Sequence, residues 1–346
     1  MSQTFFVSRT DAIGDVVLTL PVAGKLKQQF PDCRVVFIGR TYTAPIAAAC
    51  PWVDDFLNLD ELLKLPKPAQ VAALREYAAA AIVHVFPNKT LARLAQLARI
   101  PVRIGTRNRW HHWLTCNRLV ALSRRHSPLH EAQLNLKLLQ PLGLTQVPDL
   151  IEVAELVQLH SSEPLSPSVQ QLLQARQPGQ LNVILHPRSR GSAREWGLNN
   201  FGQFARLLHQ AGHCVFVTGT AAEGEELAEW RQQHAAFLAA DLTGQLSLPQ
   251  FLAFIAAADG VVAGSTGPLH LAAALGRHAL GLYPPIRPMH PGRWGPLGPR
   301  AKFLVFDKPN CENCRTEPSA CACIRAVEAA AVAACVQAWV PLSSEE

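Results

Sequence analysis

Gly264, Ser265, Thr266 and Gly267 stand directly after the apolar residues 261–263 and directly before Pro268, Leu269 and His270. Such an order describes a short buried strand, a tight turn and the first turn of a helix, where Pro is well tolerated. The unpaired N–H groups of a helix N-terminus and the helix dipole favour an anion. His270 falls near the same turn, and Gly276 marks the helix end. A plain strand-to-helix turn with a hydroxyl N-cap would carry the same residues.

Three other loops hold residues of matching chemistry. Residues 186–196 contain Arg188, Ser189, Arg190, Ser192 and Arg194. Guanidinium groups pair with phosphate oxygens two bonds at a time, so the run suits a phosphate clamp as well as an exposed basic loop. Residues 219–223 end on Glu223, placed either to hold ribose hydroxyls or to open a helix. Residues 9–16 bring Arg9, Asp11, Gly14 and Asp15 together. Asp15 there is either a reactive carboxylate or an acid complementing a helix dipole.

Charge is uneven along the chain. The net charge is +6, yet residues 89–130 contain no acid while holding Lys89, Arg93, Arg99, Arg103, Arg107, Arg109, Arg118, Arg124 and Arg125. Trp110, His111 and Trp113 are interleaved with them. A block of this kind seeks a polyanion, whether nucleic acid, anionic lipid head groups or a phosphorylated substrate.

The nine cysteines divide in two. Cys33, Cys50, Cys116, Cys214 and Cys335 are scattered, mostly in apolar surroundings, as small core residues are. Cys311, Cys314, Cys321 and Cys323 lie close enough to hold a structural metal, although the second pair is spaced by one residue rather than two. Our reading assigns no metal or other cofactor to the chain and keeps these four thiols as the candidate ligands should one exist.

Elements that would position these loops follow from the apolar pattern. Residues 4–8 read as a strand, 16–30 as a helix and 34–38 as a second strand, which makes a βαβ unit and implies a parallel sheet. Residues 81–85 and 102–104 add strands, and 130–142 a helix with Leu134, Leu138 and Leu142 on one side. The Ser-, Pro- and Gln-rich residues 161–179 read as a linker. Strands at 183–186, 214–218, 260–263 and 279–282 then alternate with helices at 201–210, 223–234 and 248–257. The fold class is therefore α/β, with two Rossmann-like doubly wound domains. The candidate loops fall at strand C-terminal ends, where such sheets bind ligands. No apolar run is long enough to span a bilayer, and the N-terminal residues lack the pattern of a signal peptide, so a cytoplasmic protein is expected.

Taken together, the loops resemble those of glycosyltransferase family 9, the ADP-heptose:lipopolysaccharide heptosyltransferases. The matching segments are 9–21, 103–106, 130–135, 186–196 and 264–270, spread over nearly the whole chain. The resemblance implies the GT-B fold, with an acceptor domain at residues 1–165, a nucleotide-sugar domain at 180–322 and a last helix, within 323–346, returning to the N-terminal domain. It implies an inverting, metal-independent transfer from an ADP-sugar to a lipopolysaccharide core precursor. Asp15 matches the general base. Arg194 matches a basic residue on the diphosphate, assisted by Arg188, Ser189 and Arg190. Glu223 matches the ribose acid, and Thr266, Gly267 and His270 match the diphosphate and sugar loop.

Ser265 stands where many members carry Asp, which changes the contacts to the donor sugar. Arg103, Arg107 and Arg109 would face the anionic acceptor, with peripheral contact at the inner face of the inner membrane and no nucleic acid as partner. A transferase for another cell-surface glycan, or a nucleotide-sugar epimerase of the same fold, would share the donor loops. A nucleic-acid-binding module would share only the arginine block.

Overall fold

The computed structural model describes residues 3–124, 127–286, 289–306, 308 and 321–342. The chain divides into two compact units, Met1–His160 and Ser161–Glu346.

In the first unit a six-stranded sheet is built from β1 (Thr4–Ser8), β2 (Arg34–Gly39), β3 (Asp55–Asn58), β4 (Ala81–His84), β5 (Val102–Thr106) and β6 (Arg118–Val120). The order is β3-β2-β1-β4-β5-β6, and every pairing is parallel. Parallel strands covered by helices on both faces read as continuous apolar runs. This is why β1, β2 and β4, whose Phe6, Val36 and Ile82 are fully buried, were visible in the sequence. One core cluster joins those side chains to Leu74, Leu91 and Leu94 from the covering helices. The order reverses between β1 and β4, so the loops leaving these two strands open a crevice.

The second unit repeats the plan with β7 (Asn182–His186), β8 (Cys214–Val217), β9 (Ala240–Asp241), β10 (Gly260–Gly264), β11 (His278–Tyr283) and β12 (Ala301–Val305). The order is β12-β11-β10-β7-β8-β9, again parallel throughout, with its reversal between β7 and β10.

Several expectations need correction. The expected linker at 161–179 contains the helix Pro167–Gln174, capped by the Ser166 hydroxyl. Its Val169 and Leu173 are buried, and the Leu173 carbonyl accepts from the Asn182 side chain. The last helix, Ala329–Gln337, packs within the second unit. Its Val332, Ala333 and Val336 enter that unit's core beside Phe201, Phe204 and Leu208 of the helix Leu198–Gln210. The buried Asp259 carboxylate fastens the residues that follow, accepting from the Leu342 N–H at 2.8 Å and the Asn182 N–H at 2.6 Å.

Smaller differences are local. The expected helix at 16–30 is two helices, Ile13–Val17 and Leu20–Gln29, and that at 223–234 is Ala221–Glu226 and Ala228–His234. Residues 137–142 tighten into a 3₁₀ helix around Pro141 and end at Gly143, whose φ of 100° requires glycine. Among the described residues, no helix is long and apolar enough to cross a membrane.

Candidate active site

The reversal point of the first unit is occupied by charge. β1 hands the chain to Arg9, whose N–H bonds the Ile38 carbonyl at 3.1 Å. The helix Ile13–Val17 follows, with Asp15 in its first turn. The Arg9 side chain is only 4% exposed. It donates to Asp11 through Nε at 2.5 Å and Nη2 at 2.8 Å, and Nη2 also donates to Asp15. Its Nη1 lies 3.7 Å from Glu131, a carboxylate that is itself 1% exposed.

Burial pushes the Asp15 carboxyl up to about 6, with Asp11 and Glu131 acting in the same sense and Arg9 and Arg124 against it. A carboxyl near this value is ionised at neutral pH yet still basic enough to take a proton, as a general base must be. On the neighbouring strand His84 ends β4, with Nδ1 3.5 Å from the Ser8 hydroxyl, and burial pushes this imidazole down to about 3.

Of this cluster only Asp15 stands out in the sequence; Arg9 and Glu131 do not. The only signal for them was their position, Arg9 directly after a strand and Glu131 opening a helix.

The acceptor arginines separate. Arg107 and Arg109 are exposed and follow the C-terminal end of β5, and Arg109 precedes the helix Trp110–Thr115. Arg103 lies at the opposite end of the strand. Its guanidinium donates to the Thr115 carbonyl at 2.7 Å and the Ile100 carbonyl at 2.5 Å. An arginine committed to two main-chain acceptors holds the fold, so Arg103 differs from Arg107 and Arg109 in its surroundings. Arg125 lies outside the described residues.

In the second unit the loop after β7 and the turn after β10 meet at the other reversal point. A Cβ on Gly264 would stand 3.3 Å from the Arg194 carbonyl, so the two loops are in close approach. Glu195, which the sequence reading passed over, folds the first loop. Its carboxylate accepts from the Ser189 N–H at 3.0 Å, the Ser189 hydroxyl at 3.1 Å and Arg188 at 3.0 Å. Arg188 also reaches Glu226 at 3.1 Å, so its charge is already paired.

Arg190 is exposed, and its φ of 49° lies in the left-handed region, a strain often stored at functional sites. Arg194 is buried, and the adjacent Trp196 anchors the loop by donating to the Val327 carbonyl at 2.7 Å.

Thr266 is the N-cap of the helix Gly267–Ala274, but its hydroxyl does not cap; it turns to the Gly264 carbonyl at 3.3 Å. This leaves the helix N-terminus suited to an external anion. His270 lies in the first turn and is buried. The Tyr283 phenol donates to the Trp294 carbonyl at 2.6 Å, and burial pushes its pKa up, with Ser265 acting against that.

Glu223 forms a capping box. Its Oε2 accepts from the Thr220 N–H at 2.7 Å and hydroxyl at 2.9 Å, so the helix-opening reading is correct for that oxygen. Oε1 is 3.9 Å from Arg190. His186 ends β7 with Nδ1 3.2 Å from the Thr218 hydroxyl, and burial pushes it down to about 4. Of the candidate metal ligands, Cys321 and Cys323 are buried in the second unit's core, while Cys311 and Cys314 lie outside the described residues.

Two doubly wound units, each with polar loops at its strand reversal, make the GT-B architecture of nucleotide-sugar glycosyltransferases. A model of glycosyltransferase family 9 (heptosyltransferase) matches residues 72–324, and the chain belongs to that family. A provisionally named glycosyltransferase of Haemophilus influenzae is 26% identical over 320 residues, covering 89% of this chain and 90% of its own. Lipopolysaccharide heptosyltransferase 2 of Escherichia coli K12 is 24% identical over 301 residues, covering 80% and 81%. The solved structure of E. coli ADP-heptose lps heptosyltransferase II superposes with a TM-score of 0.75 at 18% identity, covering 97% of this chain and 98% of its own. The chain is thus a glycosyltransferase of the GT-B fold.

Proposed function

We propose that this enzyme moves a heptose from an ADP-sugar to a lipopolysaccharide core precursor with inversion at the anomeric carbon. The names of its relatives supply the donor and acceptor classes. The observation that carries the chemistry is Asp15, a carboxylate at the first unit's strand reversal with its pKa pushed up to about 6. In this reading the acceptor hydroxyl gives its proton to Asp15 as its oxygen bonds to the anomeric carbon. The bond from that carbon to the diphosphate breaks, and ADP leaves with the electron pair.

The second unit binds the donor. Arg194, Arg190 and the N-terminus of the helix Gly267–Ala274 take the diphosphate, with Thr266, Gly267 and His270 at the leaving oxygen. Such fixed donors stabilise developing negative charge without a metal ion. Ser189 and Arg188 shape the loop, Glu223 offers Oε1 to the ribose, and Ser265 faces the sugar. Arg107 and Arg109 meet the anionic acceptor. The test is transfer by the purified protein: ADP release that requires both ADP-heptose and a heptose-free precursor supports this reading, and release indifferent to the acceptor refutes it.

We also propose a peripheral membrane contact at the inner face of the inner membrane. Trp110 at 64%, Trp113 at 60% and Leu114 at 66% exposure share one short helix. Lys89 lies over the Trp110 ring at 5.0 Å, and Arg93, Arg107 and Arg109 are exposed nearby in the chain. Aromatic and cationic side chains so mixed favour an anionic lipid interface. Sedimentation with phosphatidylglycerol vesicles but not phosphatidylcholine vesicles is the expected result, and sedimentation with neither refutes it.

A further inference from the structure

Asp15 is tied into a closed circuit of hydrogen bonds and ion pairs that runs through a distant helix. Its carboxylate accepts from Arg9, and Nη1 of Arg9 lies 3.7 Å from Glu131 in the helix Glu131–Leu136. Glu131 accepts from Nε of Arg124 at 2.8 Å. Nη2 of Arg124 donates to the Asn135 side-chain oxygen at 3.1 Å and to the Val85 carbonyl, just past β4, at 3.3 Å. The Asn135 amide then donates to the Leu18 carbonyl at 3.0 Å and the Thr19 hydroxyl at 3.4 Å. The circuit closes where the Thr19 hydroxyl donates to the Asp15 carbonyl at 2.8 Å.

We propose that Glu131 is a positioning residue for the transfer, which with Arg124 sets how strongly Arg9 holds the Asp15 carboxylate. The inference rests on Asp15 being the base. Glu131 is too deeply buried to meet a substrate, so it acts through Arg9. Opening a helix does not by itself require a carboxylate buried between two guanidinium groups. It divides the charge of Arg9 among three acids, so that Asp15 does not face an undivided cation. The charged and titratable groups bearing on Asp15 are Arg9, Asp11, Glu131 and Arg124, and Tyr42 adjoins them by donating to the Asp11 carbonyl.

The test compares two charge-removing variants with opposite expected signs. Glu131→Gln keeps an acceptor for Arg124 but removes the negative charge, which frees Arg9 to act on Asp15. The acidic limb of the kcat/KM–pH profile should then move down by about one pH unit, the low end of the effect of a nearby charge. The plateau kcat should fall about threefold to tenfold as the base weakens. Arg124→Gln removes a cation, leaves Glu131 wholly to Arg9, and should move the same limb up. Arg124 is on the half-exposed side of the circuit, so this variant stands as a test even where Glu131→Gln does not fold.

A merely structural role would shift both variants in the same direction or leave both limbs in place, and either result overturns the proposal. Asp15→Asn separates the failures. An active Asp15→Asn enzyme removes the base itself. An inactive one, with unmoved limbs in the other two variants, removes only the role of Glu131.

Discussion

Arg9 donates to Asp15 from a fully enclosed guanidinium, yet the Asp15 carboxyl stands above the ordinary carboxylate range rather than below it. A lone arginine beside an acid would depress its pKa. Here burial acts the other way, and Arg9 also serves Asp11 and Glu131. Position and basicity are thereby set apart, the first by the hydrogen bond and the second by the shared charge.

Asp15→Asn keeps the size of the side chain and removes its capacity to take a proton. Turnover should fall by about two to four powers of ten, the usual span for a placed acid or base. ADP affinity measured by calorimetry should stay near that of the native enzyme, because the donor loops are in the other unit. Turnover close to native at saturating acceptor would take Asp15 out of the chemistry.

Arg194→Ala addresses the diphosphate. Donor and product share that group, so the affinities for ADP-sugar and ADP should fall together. A charge-assisted hydrogen bond contributes about 1.5–3 kcal/mol. The expected loss is therefore roughly tenfold to hundredfold. Unchanged ADP affinity would shift the assignment to Arg190, since Arg188 is held by Glu195 and Glu226.

Arg107 and Arg109, replaced together by Gln, should raise the acceptor KM several-fold and flatten the salt dependence of kcat/KM. Steering by exposed charge fades as the Debye length shortens. The donor KM should not move. Arg103→Gln should instead lower the melting temperature with the acceptor KM unchanged, because its partners are the carbonyls of Ile100 and Thr115. Steady-state kinetics at two ionic strengths, with thermal melts, distinguishes these outcomes.

Stability should fall as the pH drops below neutral. His84 is pushed down to about 3, and His112 and His186 to about 4, each mainly by burial. In the unfolded chain an imidazole takes a proton near pH ~6.5. Below that pH the unfolded state binds more protons than the folded one, so stability is present above it and is lost progressively on acidification toward about 4. Melting temperatures from pH 7.5 to 4.5 should decline, and His84→Gln should lessen the slope. Asp15, pushed up to about 6, works in the opposite sense below that pH, but as one group against three, so a flat profile would contradict this expectation.

Much of this was legible in the sequence. The central strands β1, β7 and β10 are uninterrupted apolar runs, and each leads into a loop rich in Gly, Arg or hydroxyl residues. Edge strands were not legible. β3 is half-buried along its length and bounded by Asp55 and Asn58, β9 has only Ala240 and Asp241, and β12 exposes Lys302 and Phe303. Nothing in a linear reading pairs Arg9 with Glu131, because β1 and β4 must first be neighbours. Arg103 looked like Arg107 for a similar reason, since one lies near the start of β5 and the other just past its end, and only the strand's direction separates them. The Ala-rich last helix gave no sign of its packing partner, because its small residues suit any apolar surface. The buried Asp259, which accepts the Leu342 N–H, ties down the residues after that helix and lies far from them in the sequence.

The most direct test of the central claim is the anomeric configuration of the product. The purified enzyme would be given ADP-heptose with a heptose-free lipopolysaccharide precursor, and the new glycosidic linkage read by NMR alongside ADP release. Asp15 acting as a base on the acceptor hydroxyl, with direct displacement of ADP, predicts one ADP per heptose transferred and a linkage inverted relative to the donor. A retained configuration, or ADP release without transfer, would contradict it.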